Sequence, residues 1–200
     1  MPGLVCDPVE LEALIRRRQE TGADRYDEVW EGLYVMSPLA NPEHQRMATL
    51  FASILVQVVT DPGHGVVYAG SNVTDQEEDW THNYRCPDVV VVFNQSADRC
   101  RDIGPALLGG PDFLIEVLSP ADKTFEKLEF YASLGVRELL VVDRDTKALR
   151  LFRLRSGELL ECLPTGGWHT SEVVPLRFRT TADAKVEVLS TTSPARSWIV

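Results

Sequence analysis

Long hydrophobic runs are missing from this 200-residue sequence, and no apolar stretch approaches the roughly 18 residues that a membrane-crossing helix requires. The amino terminus, MPGLVCDPVELEAL, lacks the basic region and extended apolar segment of a signal peptide, so a cytoplasmic location is expected. Cysteine is scarce. Cys6, Cys86, Cys100 and Cys162 show no CxxC spacing, which argues against a zinc site and a disulfide framework and leaves reduced thiols. Positive charge is also in short supply: the formal net charge is −10, whereas a protein that tracks long nucleic acid carries a basic face. Any nucleic-acid contact should therefore be local or assisted by metal ions. Repeats and low-complexity linkers are absent too. What is present is an ordinary globular balance, 44% hydrophobic and 25% charged, in a length suited to one domain over residues 1–200 with a sizeable core.

Along the chain, Asp7-Pro8-Val9-Glu10 has the form of a helix start with Asp7 as N-cap, and Gly22 stops the helix after about Thr21. YDEVWEGLYVMSP reads as a hairpin around Glu31-Gly32, closed by Pro38. Asn41-Pro42 opens a helix whose apolar stripe is Met47, Leu50, Phe51, Ile54, Leu55 and Val58. Projected back one turn, that stripe reaches Glu43 and His44. For these two the plain alternatives are a helix-dipole contact and a hydrogen-bonded boundary residue. GVVYAGSNVT suggests one strand, QEEDWTHNYR a polar loop or ribbon, and Val89 to Phe93 a strand buried on both faces. A polar loop over 94–110 precedes FLIEVLS, and ADKTFEKLEFYASLG follows as a helix ending at Gly135. RELLVVD, ALRLFRLRSG and ELLECLP are three further strands. The strand, helix, strand order over 113–142 implies a parallel crossover within an otherwise antiparallel, mixed sheet, an α/β arrangement flanked by helices. From Trp168 onward two more strands and a partly mobile tail are expected. His64, His82 and His169 are expected in solvated loops.

The residue that asks for an explanation is Glu116, set inside the apolar run FLIEVLSP. An ionised carboxylate in a buried strand costs several kcal/mol or more unless a cation, a metal or several donors compensate it. Asp88 stands at the mouth of the other apolar strand. If the two strands are neighbours the carboxylates converge, and a cation between them would relieve their repulsion. Two oxygen ligands completed by water and a substrate phosphate is a usual way to hold magnesium. The helix after Glu116 can return Lys127 to the same point. Each has a plainer reading: Asp88 can cap a turn, Lys127 can lay its stem along the core edge, and Tyr131, one turn on, can simply pack.

The ordered set YDEVWEGLYVMSP, NPEHQ, CPDVVVVF and FLIEVLSPADKTFEKLEFYASLGVRELLVVDRD, over about residues 26–155, resembles the PD-(D/E)xK nuclease superfamily, and within it the bacterial Uma family of restriction-endonuclease-like proteins. The resemblance implies a restriction-endonuclease-like core over about 26–155, with residues 156–200 as C-terminal strands and tail. It implies a divalent ion, Mg2+ or Mn2+, held by Asp88 and Glu116 at one sheet edge, and nucleic acid, DNA in the first instance, as substrate. Leu118 stands where the superfamily's lysine usually follows the acid. The resemblance moves that lysine to the helix, at Lys127, with Lys123 as competitor. Glu43 matches an acid that some superfamily members contribute from the first core helix. The implied catalytic set is thus Asp88, Glu116, Lys127 and Glu43, and the superfamily's habit of working as dimers leaves a homodimer open. Two other functions compete with a metal-dependent endonuclease. One is a binding or assembly module that keeps the fold without the chemistry, favoured by the acidic charge and the absent lysine at 118; the other is hydrolysis of a small phosphodiester.

Overall fold

The computed structural model describes residues 8–37, 41–120, 122–193 and 195–200; Cys6, the expected cap Asp7 and the strand-closing Pro38 lie outside them. Helix α1 (Pro8–Thr21) buries none of its residues and ends where Gly22 takes φ +68°. It is tied down by Arg18, whose Nε and Nη2 both lie 2.6 Å from the Asp27 carboxylate. Strands β1 (Glu28–Trp30) and β2 (Leu33–Val35) form the expected hairpin, with Glu31 and Gly32 both at positive φ, as a two-residue turn demands.

Helix α2 (Pro42–Leu55) starts at Asn41, whose side chain accepts a hydrogen bond from the Glu43 amide, and it runs on into a π turn over Val56–Thr60. Its stripe of Met47, Phe51, Ile54 and Leu55 is buried. The strands that follow are β3 (Gly65–Ala69), β4 (Val73–Thr74), β5 (Tyr84–Arg85), β6 (Val89–Phe93), β7 (Cys100–Asp102), β8 (Leu107–Gly109) and β9 (Phe113–Leu118). A 3-10 turn, Thr124–Lys127, leads into α3 (Leu128–Leu134), and β10 (Glu138–Asp143), β11 (Leu149–Arg155) and β12 (Glu158–Cys162) succeed it. The last strands are β13 (His169–Thr170), β14 (Leu176–Thr180), β15 (Val186–Ser190) and β16 (Ser197–Ile199).

The central sheet has the order β12-β11-β10-β9-β6-β3. Only β9 and β10 run parallel in it, the crossover expected for a strand, helix, strand unit. Period-two alternation sends the strands' side chains to opposite faces. Val89, Val91, Phe113, Ile115 and Val117 pack with α2 and with Phe178, Val186 and Val188 of the C-terminal sheet β13-β14-β15-β16. Val90, Val92 and Leu114 pack on the other side with Tyr131, Leu139, Val141 and Phe152. Both faces are covered, which is why β6 is valine throughout until Phe93. Each fully buried side chain of this kind stabilises the fold by roughly 1.5–3 kcal/mol.

Four details differ from the sequence reading. GVVYAGSNVT is two strands, not one: the chain turns at Gly70, at φ +60°, where a Cβ would come within 2.9 Å of the Tyr26 ring, so β3 joins the central sheet and β4 a second one, β2-β1-β5-β4-β8-β7. The polar stretch 94–110 contains the β7–β8 hairpin. The helix before Gly135 is shorter than its pattern, because its first turn is 3-10. The tail expected to be mobile carries β16, and Val200 is 1% exposed in the core.

Candidate active site

The antiparallel register that pairs Val89 with Ile115 sets Asp88 opposite Glu116 one step further along the same ladder. The two carboxylates therefore come together at one end of the central sheet. By strand alternation Glu116 faces away from α2 and toward the 3-10 turn and α3, which return Lys127 and Tyr131 to it. Lys127 Nζ lies 3.1 Å from Glu116 Oε1, and the Tyr131 hydroxyl donates to the same oxygen at 2.7 Å. Both hydrogen bonds fall on Oε1; Oε2 receives none from the described residues. Asp88 is similarly one-sided. Its Oδ2 accepts the Val117 amide at 2.7 Å and lies 3.3 Å from His44 Nε2, while Oδ1 receives no hydrogen bond from the described residues.

A third acid stands in the site that the sequence reading did not single out. Glu28, on β1, is 3% exposed. Its Oε1 accepts from Lys127 Nζ at 2.8 Å and from the Cys86 amide at 2.8 Å, and its Oε2 accepts from Trp30 Nε1 at 2.7 Å. Trp30 in turn stacks under the buried Arg85 guanidinium, 4.5 Å from its ring centroid, with Phe130 on another side at 4.2 Å. Glu28, His44, Asp88, Glu116, Asp122 and Lys127 line a cleft of about 80 Å³. A larger hollow of about 470 Å³, walled by Gln57, His64, Phe93 and the 190–193 loop, contains none of these carboxylates. Chemistry rather than volume singles out the smaller cleft.

The electrostatics follow from burial and proximity. Burial pushes the Glu116 carboxyl above the ordinary carboxylate range, against the pull of the Lys127 ammonium. For Lys127 burial works toward neutrality, but Glu116 and Glu28 beside it reverse that and hold its pKa above the ordinary value. Burial likewise opposes charge on His44, and the Asp88 carboxylate outweighs it, leaving the imidazole pKa raised. The Cys86 thiol at the cleft wall is pushed up to about 12 by burial, with Glu28 adding to the effect, so it is no thiolate nucleophile at neutral pH.

The expected site residues divide. Asp88, Glu116 and Lys127 share the cleft. Lys123 does not join them; its Nζ sits 3.8 Å from Glu126 and 5.7 Å from the Trp30 ring centroid. Glu43 turns toward Arg46, at 2.8 and 2.9 Å, and Lys147, at 2.7 Å, and is not part of the cleft wall, where His44 stands instead. Tyr131, expected only to pack, is fully buried and also bonds Glu116. His169, expected in a solvated loop, is a buried residue of β13. Glu28 escaped because its partner Lys127 is 99 positions away; its one local sign is a glutamate in a hairpin strand otherwise made of Val and Trp.

No group of three or more His, Cys, Asp or Glu side chains arranged to hold a metal ion occurs among the described residues. The site still suits a divalent cation of the magnesium type, which needs only one or two carboxylates beside water and phosphate oxygens. Asp88 and Glu116 each retain an oxygen without a hydrogen bond from the described residues and border the same cleft. No helix among the described residues is long and apolar enough to cross a membrane.

Comparison with known proteins gives two results. A family profile described as "Putative restriction endonuclease", Uma2, matches residues 9–193. Among solved structures, a protein described as a putative nuclease belonging to DUF820 from Anabaena variabilis ATCC 29413 superposes with a TM-score of 0.58 at 18% identity, covering 72% of this chain and 80% of that one, a likeness of fold. No curated protein matches the chain.

Proposed function

This chain belongs to the Uma2 family of restriction-endonuclease-like proteins, and on that premise we propose that it is a divalent-metal-dependent endonuclease cleaving phosphodiester bonds of nucleic acid, DNA in the first instance. The observation that carries the reading is the convergence of Asp88, Glu116 and the buried Lys127 on one cleft at the end of the central sheet. Asp88 and Glu116 would hold the ion. When bound, Mg2+ or Mn2+ supplies Lewis acidity toward the phosphodiester and a lower pKa for its water. Lys127 places a fixed positive charge where negative charge grows on the phosphoryl oxygens. Tyr131 and Lys127 load Glu116 Oε1, which orients the carboxylate and would leave Oε2 available as a ligand. His44, held by Asp88, positions water at the cleft mouth. Glu43 acts at a remove, bracing Lys147 and Arg46. One cleft serves one scissile bond, so cutting both strands of a duplex calls for a homodimer or for two encounters.

The test is incubation of the purified protein with plasmid, single-stranded DNA and RNA in Mn2+, beside an Asp88→Asn, Glu116→Gln double variant prepared identically. Cleavage by the parent alone supports the reading; equal cleavage by both, or none by either, refutes it. A second reading, a binding or assembly module on the same fold, draws on one observation: Lys127 already neutralises Glu116 from 3.1 Å. Thermal melting with and without Mg2+ separates the two, since an ion bound to the folded state alone raises the midpoint.

A further inference from the structure

We infer that Glu28 is a positioning residue of this site, one that draws the Lys127 ammonium off Glu116 and keeps Glu116 available to a divalent ion. The inference deepens the nuclease reading and rests on it for its catalytic half only. Two buried carboxylates compete for one ammonium, and the shorter contact goes to Glu28, 2.8 Å against 3.1 Å to Glu116. Glu28 is held against drifting toward the lysine by two other donors, the Cys86 amide on Oε1 and the Trp30 indole on Oε2. Trp30 is fixed by the Arg85 guanidinium stacked on it, and Arg85 Nη1 is anchored on the Val29 carbonyl and the Asn83 side chain.

Lys127 and Arg85 oppose Glu28 and Glu116, while Asp88 and Asp122 also face the cleft, Asp88 with His44 as its cationic partner among the described residues. If Glu28 lost its charge, the ammonium would retain Glu116 as its one charged hydrogen-bond partner and shorten the present 3.1 Å contact. That motion would set the lysine against the metal for the same carboxylate. The residue thus acts through Lys127 and Glu116 rather than on the substrate.

The experiment compares the parent with Glu28→Gln and with Trp30→Phe, which removes the indole donor that fixes Oε2 and keeps an aromatic ring beside Arg85. Two readouts are taken on each protein. The first is the 15N signal of the Lys127 ammonium in metal-free protein, assigned through Lys127→Arg; the second is Mn2+-dependent cleavage together with Mn2+ affinity measured calorimetrically. Expected for Glu28→Gln are a shifted ammonium signal, weaker Mn2+ binding and cleavage slower by about ten- to a hundredfold, the range for removing a partner that orients a metal ligand. Trp30→Phe should shift all three in the same direction by less. An unchanged Lys127 signal and Mn2+ affinity in Glu28→Gln, with only a lowered melting point, would overturn the inference and leave Glu28 structural. Should Glu28→Gln not fold, the same reading is made on Trp30→Phe. A parent that binds Mn2+ and cuts nothing would defeat the nuclease reading alone, because the ammonium signal and the affinity still decide what Glu28 does.

Discussion

Two Pro-Asp pairs open two apolar strands of the same ladder, Pro87-Asp88 before β6 and Pro111-Asp112 before β9, and because those strands are antiparallel the two aspartates stand at opposite ends. Their surroundings differ. Asp112 is 0% exposed and both its oxygens are used: Oδ1 takes the Ser96 hydroxyl at 2.9 Å and the guanidinium groups of Arg99 at 2.7 Å and Arg137 at 3.2 Å, and Oδ2 takes the Phe93 amide at 2.8 Å. Glu138 on β10 is held in the same way, by Arg153 at 2.7 Å, the Ser171 hydroxyl and the Glu172 amide. Asp88, with its side chain 14% exposed, puts its contacts on one oxygen and borders a cleft. Burial of an acid therefore does not mark a site in this protein. Spare acceptor capacity turned toward open space does, because only there can an ion or a water complete the shell.

The widest separation between the two aspartates should appear in activity. Asp88→Asn is expected to abolish metal-dependent cleavage while leaving the urea midpoint nearly unchanged, and Lys127→Ala to lower cleavage by about a hundred- to a thousandfold, the usual cost of removing a charge aimed at the transition state. Asp112→Ala should do the reverse: retain cleavage per folded molecule and lose about 3 kcal/mol of stability, since it strands a buried amide, a hydroxyl and two guanidinium groups at once. Urea unfolding beside initial cleavage rates measures both. If Asp112→Ala were as inactive as Asp88→Asn at full folded population, spare acceptor capacity would not be what separates them. Tyr131→Phe should give a smaller change of both kinds, about 1.5–3 kcal/mol for a hydrogen bond to a charged group and a modest loss of rate.

How much of this could be read in the chain follows from how local each signal is. The strands β6 and β9, the crossover and the pair Asp88 and Glu116 were legible because long apolar runs are costly anywhere but in a core, and an acid among them demands an explanation. Helix periodicity carried the core stripe of α2, yet projecting it into the first turn could not choose between Glu43 and His44, adjacent residues about 100° apart on the helix. The choice fell to Lys147, which lies far along the chain from α2 and captures Glu43. Glu28 was invisible for the same reason: nothing within its hairpin says that a lysine from the other end of the fold will reach it. The second Pro-Asp pair shows the opposite hazard, a motif repeated in the sequence whose two copies only the tertiary partners tell apart. The strand at the tail's end was not legible because its polar composition hides Trp198 and Val200, which pack on the core beside β15.

The smallest expected effect distinguishes the neighbours His44 and Glu43. His44 Nε2 reaches Asp88 within the cleft, whereas Glu43 is spent on Arg46 and Lys147 outside its wall. His44→Ala should slow cleavage measurably, and Glu43→Gln should leave it within about twofold while altering acid stability. The hydrogen bond from Arg46, then that from Lys147, hold the Glu43 carboxyl down at about 2 against an ordinary 4.5. A depressed folded-state pKa means that the folded protein releases this proton more readily than the unfolded chain, so the stabilisation is complete above the ordinary value and fades as the pH falls from about 4.5 toward 2. Because the carboxylate is about two-fifths exposed, water screens the pair and the contribution is small. Parent and Glu43→Gln should accordingly differ in urea midpoint at pH 7 and converge at low pH. Convergence in the wrong direction, with the gap widening in acid, would mean that Glu43 is held by something other than these two cations.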